Sequence, residues 1–247
     1  MRKTLIGLGS LAIALAAATP AFAQDDNGIT VSGGAALVTD YRFRGVSQTD
    51  KEFAVQGNLT VAHSSGLYAT VWGSSIDDYV ANGSDQEIDL VGGYKRDFGG
   101  ATVDVGATYY YFPGSNGANT DFIEPYIAVS SAFGPVTAKV TAAYAPKQNA
   151  LSIDSGKEDN LYLAGDLSTT VPGTPFSLSA HLGNSFGRSY LTSGYKDVTD
   201  WSLGASYAYK NLTFGVSYVD TEDTIINAAS GKNIAKAGVV GSVGVSF

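Results

Sequence analysis

The sequence predicts an all-β protein, a closed antiparallel transmembrane barrel of about twelve strands, with short turns at one end and longer loops at the other. Runs of about ten residues alternate apolar and polar side chains, which is typical of membrane-crossing strands. No apolar stretch near the roughly 18 residues of a membrane helix follows residue 23. Because unpaired backbone groups are costly in hydrocarbon, such a chain crosses a bilayer only as a closed barrel.

The first 23 residues have the pattern of a secretory signal peptide. Arg2 and Lys3 precede an apolar run over residues 5–18, and the Ala-Phe-Ala of residues 21–23 fits signal peptidase. We therefore predict that the mature chain starts at Gln24 and that residues 24–247 form one barrel domain. The chain has no cysteine, which excludes an acylated N-terminal cysteine, disulfides and thiolate metal sites.

The strand pattern is clearest over residues 201–209. The odd-numbered positions there hold Trp, Leu, Ala, Tyr and Tyr, and the even-numbered ones hold Ser, Gly, Ser and Ala. A secreted β-sandwich would also alternate, but its buried face should be bulkier than these small polar faces. The twelve predicted strands are 29–44, 53–63, 67–76, 86–97, 101–111, 121–132, 136–145, 159–170, 176–184, 199–209, 212–220 and 234–247.

The connections between these runs alternate strictly in length. Short ones at 64–66, 98–100, 133–135, 172–175 and 210–211 alternate with longer polar ones at 45–52, 77–85, 112–120, 146–158, 185–198 and 221–233. This alternation is typical of a barrel with tight periplasmic turns and larger external loops. It predicts that both termini lie in the periplasm.

Aromatic residues gather near the predicted strand ends, as in the aromatic belts of membrane proteins. We also expect the terminal Phe247, which closes an alternating strand, to be the signal that the barrel-insertion machinery reads. The predicted loop-end belt is Tyr41, Phe43, Tyr79, Tyr109, Tyr111, Tyr144 and Trp201, and the predicted turn-end belt is Tyr94, Phe98, Phe133, Phe176 and Tyr209.

Charge and histidine content argue against several functions. Without Arg2 and Lys3 the chain has 13 basic and 23 acidic side chains, a balance that disfavours nucleic acid. The two histidines are expected to be a polar turn residue (His63) and a hydrogen-bonding lumen residue (His181), rather than parts of a lipid-acting enzyme. No nucleotide motif is present. We predict no enzyme activity, no catalytic residue, no cofactor and no metal site, and interpret 77–78 and 222–223 as solvated loop acids.

The charged residues on the predicted inner face are the one constellation that suggests a function. Strand parity turns inward Asp40, Arg42, Arg44, Glu87, Asp89, Lys95, Asp104, Glu124, Lys139, Asp166 and Lys236. The candidate pore-lining residues, in the outer half, are Arg42, Arg44, Glu87, Asp89, Glu124 and Lys236. Opposed charges of this kind form a selective constriction in pores. Equally, they would form a salt-bridged plug in a narrow barrel, because buried charges must be paired.

Residues 39–49 (Thr-Asp-Tyr-Arg-Phe-Arg-Gly-Val-Ser-Gln-Thr) resemble the signature of the TorF-type porin family, largely uncharacterised bacterial outer-membrane proteins. The similarity continues in residues 65–74 (Ser-Gly-Leu-Tyr-Ala-Thr-Val-Trp-Gly-Ser), in 87–95 (Glu-Ile-Asp-Leu-Val-Gly-Gly-Tyr-Lys) and in Phe247. The resemblance implies an outer-membrane barrel. It supplies no catalytic or ligand residue.

The sequence thus predicts a narrow pore for passive diffusion of small hydrophilic solutes. The barrel would be a monomer surrounded by outer-membrane lipid. The alternative is a closed barrel that has a structural role or binds a surface partner through its loops.

Overall fold

A computed structural model describes residues 28–154 and 156–247. The predicted signal peptide, residues 1–23, and the mature start at Gln24 lie outside the described residues and stay predictions. Among the described residues, no helix has the length and apolarity that a membrane crossing would require.

Twelve antiparallel strands close into a barrel, which confirms the predicted fold. Each barrel strand pairs with the next barrel strand along the chain. The last pairs with the first, from Gly34 opposite Ser246 to Val38 opposite Ser242. The barrel strands are β1 Ile29–Val38, β4 Ala54–His63, β5 Leu67–Ser75, β6 Gln86–Asp97, β7 Ala101–Tyr111, β8 Phe122–Phe133, β9 Val136–Ile153, β10 Gly156–Thr170, β11 Phe176–Phe186, β12 Asp197–Tyr209, β13 Leu212–Thr221 and β14 Gly238–Ser246. Two short strands, β2 Arg42–Phe43 and β3 Val46–Ser47, form a separate hairpin.

Strand parity gives the barrel an apolar outside and a largely polar inside. In β13 the small Thr213 and Ser217 are buried, whereas Phe214, Val216 and Tyr218 are 42–50% exposed on the outer face. A soluble sandwich would bury the bulky face instead. The outward ring of exposed apolar side chains is the surface that hydrocarbon can cover.

The predicted short turns and long loops are present, but several strand ends differ from prediction. Residues 146–153, predicted as loop, continue β9, because their ladder with β10 runs on past two register shifts and buries Leu151 completely. A 3-10 helix, η1 Tyr190–Thr192, lies in the loop between β11 and β12. The predicted strand 29–44 ends at Val38, and the predicted strand 234–247 begins only at Gly238.

Residues 39–52, called the inserted segment from here on, turn into the lumen instead of extending β1. The turn of the β2–β3 hairpin is Arg44-Gly45, with φ of 48° and 78°. Two successive left-handed residues give the twist that a two-residue hairpin needs. A Cβ on Gly45 would overlap Thr221, so the hairpin tip packs directly on the barrel wall.

The inserted segment brings apolar side chains into the half of the lumen near the loops. Tyr41 is 3% exposed and packs on Trp72 with ring centroids 5.5 Å apart, and Phe43 packs edge-on against Tyr110. Tyr41 and Phe43 are therefore inside the barrel, and their prediction as belt residues was wrong. The buried cluster consists of Val38, Tyr41, Ala54, Ile76, Ala81, Tyr110, Phe112, Phe122, Ala145 and Leu151.

Three lumen tyrosines lie across glycines of the adjacent strand. Tyr68, Tyr126 and Tyr162 lie against Gly93, Gly106 and Gly183 respectively, where a Cβ would meet the tyrosine ring. Because glycine has no side chain, it leaves the space that each ring occupies.

Gly183→Ala should therefore destabilise the barrel. Tyr162 is fully buried and hydrogen-bonded to Asp200, so it cannot yield to the added methyl group. Overpacking of this kind typically costs about 1–3 kcal/mol. Urea unfolding in lipid vesicles should show this loss. Gly165→Ala on the neighbouring strand meets nothing within 4 Å and is the matched control. Equal stability of the two variants would contradict the packing described here.

Candidate functional site in the barrel lumen

Five of the six candidate pore-lining residues meet in the loop-end half of the lumen. Arg42 and Arg44 come from the inserted segment, Glu87 and Asp89 from β6 and Glu124 from β8, and all five are 4–7% exposed. Strand parity predicted an inward position for the two arginines, but the inserted hairpin, not a barrel strand, carries them.

Lys236 does not join this group. It precedes β14, its side chain is exposed, and only its backbone carbonyl contacts the group, accepting a hydrogen bond from Arg42 Nη1 at 3.2 Å. The prediction that Lys236 lies on a barrel strand was wrong, because the chain before Gly238 is drawn into contacts with the inserted segment.

Arg44 reaches across the lumen from the hairpin tip. Its Nη2 donates to Glu124 at 2.6 Å and its Nη1 donates to Asn160 of β10 at 2.9 Å. The guanidinium also lies 4.1 Å from the ring centroid of Tyr162. Gly45, beside it, packs on Thr221 of β13, so the inserted segment bridges different sides of the barrel wall.

Arg42 anchors the base of the hairpin. It pairs with Asp40 at 2.6 Å and donates to the carbonyl oxygens of Gly45 and Ile234. Both ion pairs are almost fully buried, and a buried charge is tolerated only with a partner. The two arginines thus hold the inserted segment in place in the loop-end half of the lumen.

A second polar network lies nearer the turn end and is less buried. His181 binds Asp166 through Nδ1 at 2.7 Å and Asp200 through Nε2 at 3.0 Å, while Lys139 pairs with Asp166 at 3.3 Å. Tyr162 also binds His181 at 2.9 Å. The side chains of Lys139, Asp166 and His181 keep 16–28% exposure. The predicted hydrogen-bonding role of His181 in the lumen is confirmed.

Two further polar groups have separate positions. Asp104 accepts a hydrogen bond from Tyr68 at 2.7 Å and lies 3.9 Å from Lys95. His63 lies at the turn end, exposed, and hydrogen-bonds Ser65 at 2.8 Å, as expected of a polar turn residue. In the described part of the chain, no group of three His, Cys, Asp or Glu is arranged to hold a metal.

Asp200, Asn160 and Tyr162 were missed by sequence reasoning. Asp200 shares the inward parity of Ser202 on the predicted strand 199–209, which was a usable signal. Asn160 and Tyr162 bear the same parity on β10. Their role depends on Arg44 arriving from a distant hairpin, and nothing near them in the sequence indicates that.

Asp50 ties the inserted segment to the loop between β13 and β14. Its carboxylate accepts hydrogen bonds from Ser230 at 2.8 Å and Asn227 at 3.0 Å and pairs with Lys232 at 3.1 Å. Burial by itself raises the pKa of Asp50, but the hydrogen bonds from Ser230, Asn227 and Lys232 outweigh it and lower the pKa below its usual value.

A family described as "Bacterial protein of unknown function (Gcw_chp)" matches residues 22–247. That description does not use the TorF-type name, so this resemblance stays a prediction. No protein of curated function matches the sequence.

Solved membrane-protein structures share the fold. The KdgM porin in complex with disordered oligogalacturonate has a TM-score of 0.55 and 10% identity, covering 88% of this chain and 97% of that one. A structure from work on in-meso crystallisation of membrane proteins has a TM-score of 0.54 and 9% identity, covering 87% and 83%. A porin refined at 1.8 Å is less similar, with a TM-score of 0.41 and 15% identity, covering 89% and 99%. The likeness to the KdgM porin shows that this barrel has a porin fold.

Asp50→Asn should destabilise the protein only above the pH at which Asp50 gains its proton. A carboxyl whose pKa is lowered by folding stabilises the native state above its unfolded pKa of about 4, and this contribution disappears as pH falls through the folded pKa. We expect a lower melting temperature than wild type at pH 7, and equal values at the lowest pH where the barrel stays folded. The measurement is heat-dependent migration in electrophoresis.

Asp85→Asn removes an exposed carboxylate at the same end of the barrel and serves as the control. A gap between wild type and Asp50→Asn that does not narrow on acidification would contradict the role assigned to Asp50.

Proposed function

Starting from the fact that the chain belongs to the Gcw_chp family of bacterial proteins of unknown function, we propose that it is an outer-membrane channel of porin type for small hydrophilic solutes. The observation that carries the proposal is the charged lumen, where side chains of both signs on β8, β9 and β10 face the interior together with the charged tip of the inserted segment. Such side chains select ions and polar solutes by the electric field that they create and by the width of the opening that they leave. The fold shared with porins supports the same role.

The proposed path is narrow. A barrel between the filled eight-stranded and the open sixteen-stranded cases leaves room for about one or two side chains across its lumen. Toward the turn end, half-buried polar side chains such as Lys139 and His181 line the proposed aqueous part. Toward the loops, the Arg44–Glu124 pair forms the proposed constriction.

Location and partners are part of the proposal. Residues 1–23 would direct export, and the barrel would sit as a monomer in outer-membrane lipid. Phe247 exchanges backbone hydrogen bonds with Gly33 and lies against it on the outer face, at the seam where the last strand meets the first. This position suits a terminal signal that the insertion machinery reads as the barrel closes.

A second candidate is a closed barrel with a structural or surface-binding role. The observation that favours it is the filling of the loop-end half, where the inserted segment packs into a continuous apolar cluster. In this case residues 39–52 are a permanent plug and the loops are the functional surface.

Selectivity tests the channel proposal. Refolded residues 24–247 should conduct in planar bilayers, and Arg42→Gln/Arg44→Gln should shift the reversal potential in a salt gradient toward cations, because two positive charges leave an otherwise acidic lumen. Arg44→Gln/Glu124→Gln, which removes the pair and keeps the net charge, should keep the wild-type value. Unchanged reversal potentials in the first variant would refute the constriction.

Replacing residues 40–51 by a short Gly-Ser turn separates the two candidates. A channel restricted by the inserted segment should conduct as wild type and conduct more after replacement. A closed barrel should be silent as wild type and conduct only after replacement. Folding of each variant is checked by its heat-dependent electrophoretic migration before recording.

A further inference from the structure

A cavity of about 320 Å³ lies at the loop end, between the inserted segment and the neighbouring loops. Its rim includes Asn82, Asn119 and Tyr190, which are exposed, and buried residues such as Glu87 and Phe112 lie deeper. The volume is at the lower end of the roughly 300–1,000 Å³ of small-molecule sites. It would hold a compact ligand of few atoms.

Aromatic residues are the largest group in the lining. They are Phe43, Tyr79, Tyr110, Phe112, Phe122 and Tyr190. The three tyrosine hydroxyls already donate hydrogen bonds within the protein, Tyr79 to the Ser47 carbonyl, Tyr110 to Glu124 at 3.2 Å and Tyr190 to the Val80 carbonyl at 2.9 Å. What these residues offer a ligand is therefore the aromatic ring.

Glu87 is the one charged residue among the described lining residues. It is 4% exposed, and Asp89, equally buried, follows on the same face of β6. In the described chain no Lys or Arg lies within ion-pairing distance of either carboxyl, and Asp89 Oδ1 has no hydrogen-bond partner. Arg44 approaches Phe43, but its charge is matched by Glu124.

We propose that this cavity binds a small organic ammonium cation, with Glu87 as its counter-ion and the aromatic rings as its walls. Aromatic faces attract ammonium groups, most strongly when both are removed from water. A cationic ligand would favour the charged form of the buried Glu87 carboxyl, whereas beside a neutral ligand a buried acid neutralises itself by holding a proton. A metal ion would require more ligands than two carboxyls, and the apolar walls supply none. The site goes beyond the channel proposal and does not require conduction.

Choline and its neutral isostere 3,3-dimethyl-1-butanol test the proposal. Binding is measured by calorimetry on the folded barrel in maltoside micelles, which contain no ammonium headgroup. We expect choline to bind and the isostere to bind about tenfold more weakly or less, because it lacks the charge. Equal affinities, or no choline binding, would overturn the proposal.

Glu87→Gln keeps the shape of the side chain and should weaken choline binding by about tenfold or more, the loss expected when a buried charge partner is removed. Glu222→Gln removes a carboxylate outside the cavity and should bind as wild type. If Glu87→Gln does not fold, Tyr190→Leu at the exposed rim should weaken choline more than the isostere. If Glu87→Gln, or Tyr190→Leu in its place, folds and binds choline as tightly as wild type, the site is refuted, whatever the conductance recordings show.

Discussion

The structure depends on the closure of its backbone hydrogen bonds. Because β14 pairs with β1, no barrel strand is left with an open edge, which is the condition for β-structure in hydrocarbon. Closure also gives the two faces of each strand different surroundings, since successive side chains point alternately to the outside and into an enclosed lumen. The apolar outer face, the small polar inner positions and the glycines under the lumen tyrosines all follow from this division.

An enclosed lumen imposes a second constraint, the pairing of charge. The inserted segment satisfies it with its own residues and with the wall, since Arg42 binds Asp40 beside it and Arg44 binds Glu124 across the barrel. The selective constriction and the salt-bridged plug predicted from the sequence thus rest on the same set of contacts. Glu87 and Asp89 are the exception to this pairing with a cation, and Glu87 lines the deeper part of the aromatic cavity.

Much of this fold was predictable from the sequence because its signals are periodic and local. The alternation of apolar and polar residues predicted the number of strands and the inward position of Glu87, Asp89 and Glu124. The alternation of short and long connections predicted that all the long loops lie at one end of the barrel. The inserted segment was missed because its alternation continues that of β1, so Arg42 and Arg44 looked like strand residues. Gly45 at the end of that run was a local sign of an interruption, because an isolated glycine in a strand pattern indicates a bulge or a close backbone approach. Lys236 and Tyr41 were misassigned because their positions depend on contacts that join distant parts of the chain.

The anchoring of the hairpin links the two ends of the chain in sequence. Arg42 binds the Ile234 carbonyl 192 residues away, and Asp50 binds the stretch just before the final strand. The loop before β14 therefore supplies part of the contacts that hold this early hairpin. A chain without its last loop and final strand would therefore lack these contacts to residues 39–52 and keep those that the inserted segment makes with the remaining wall.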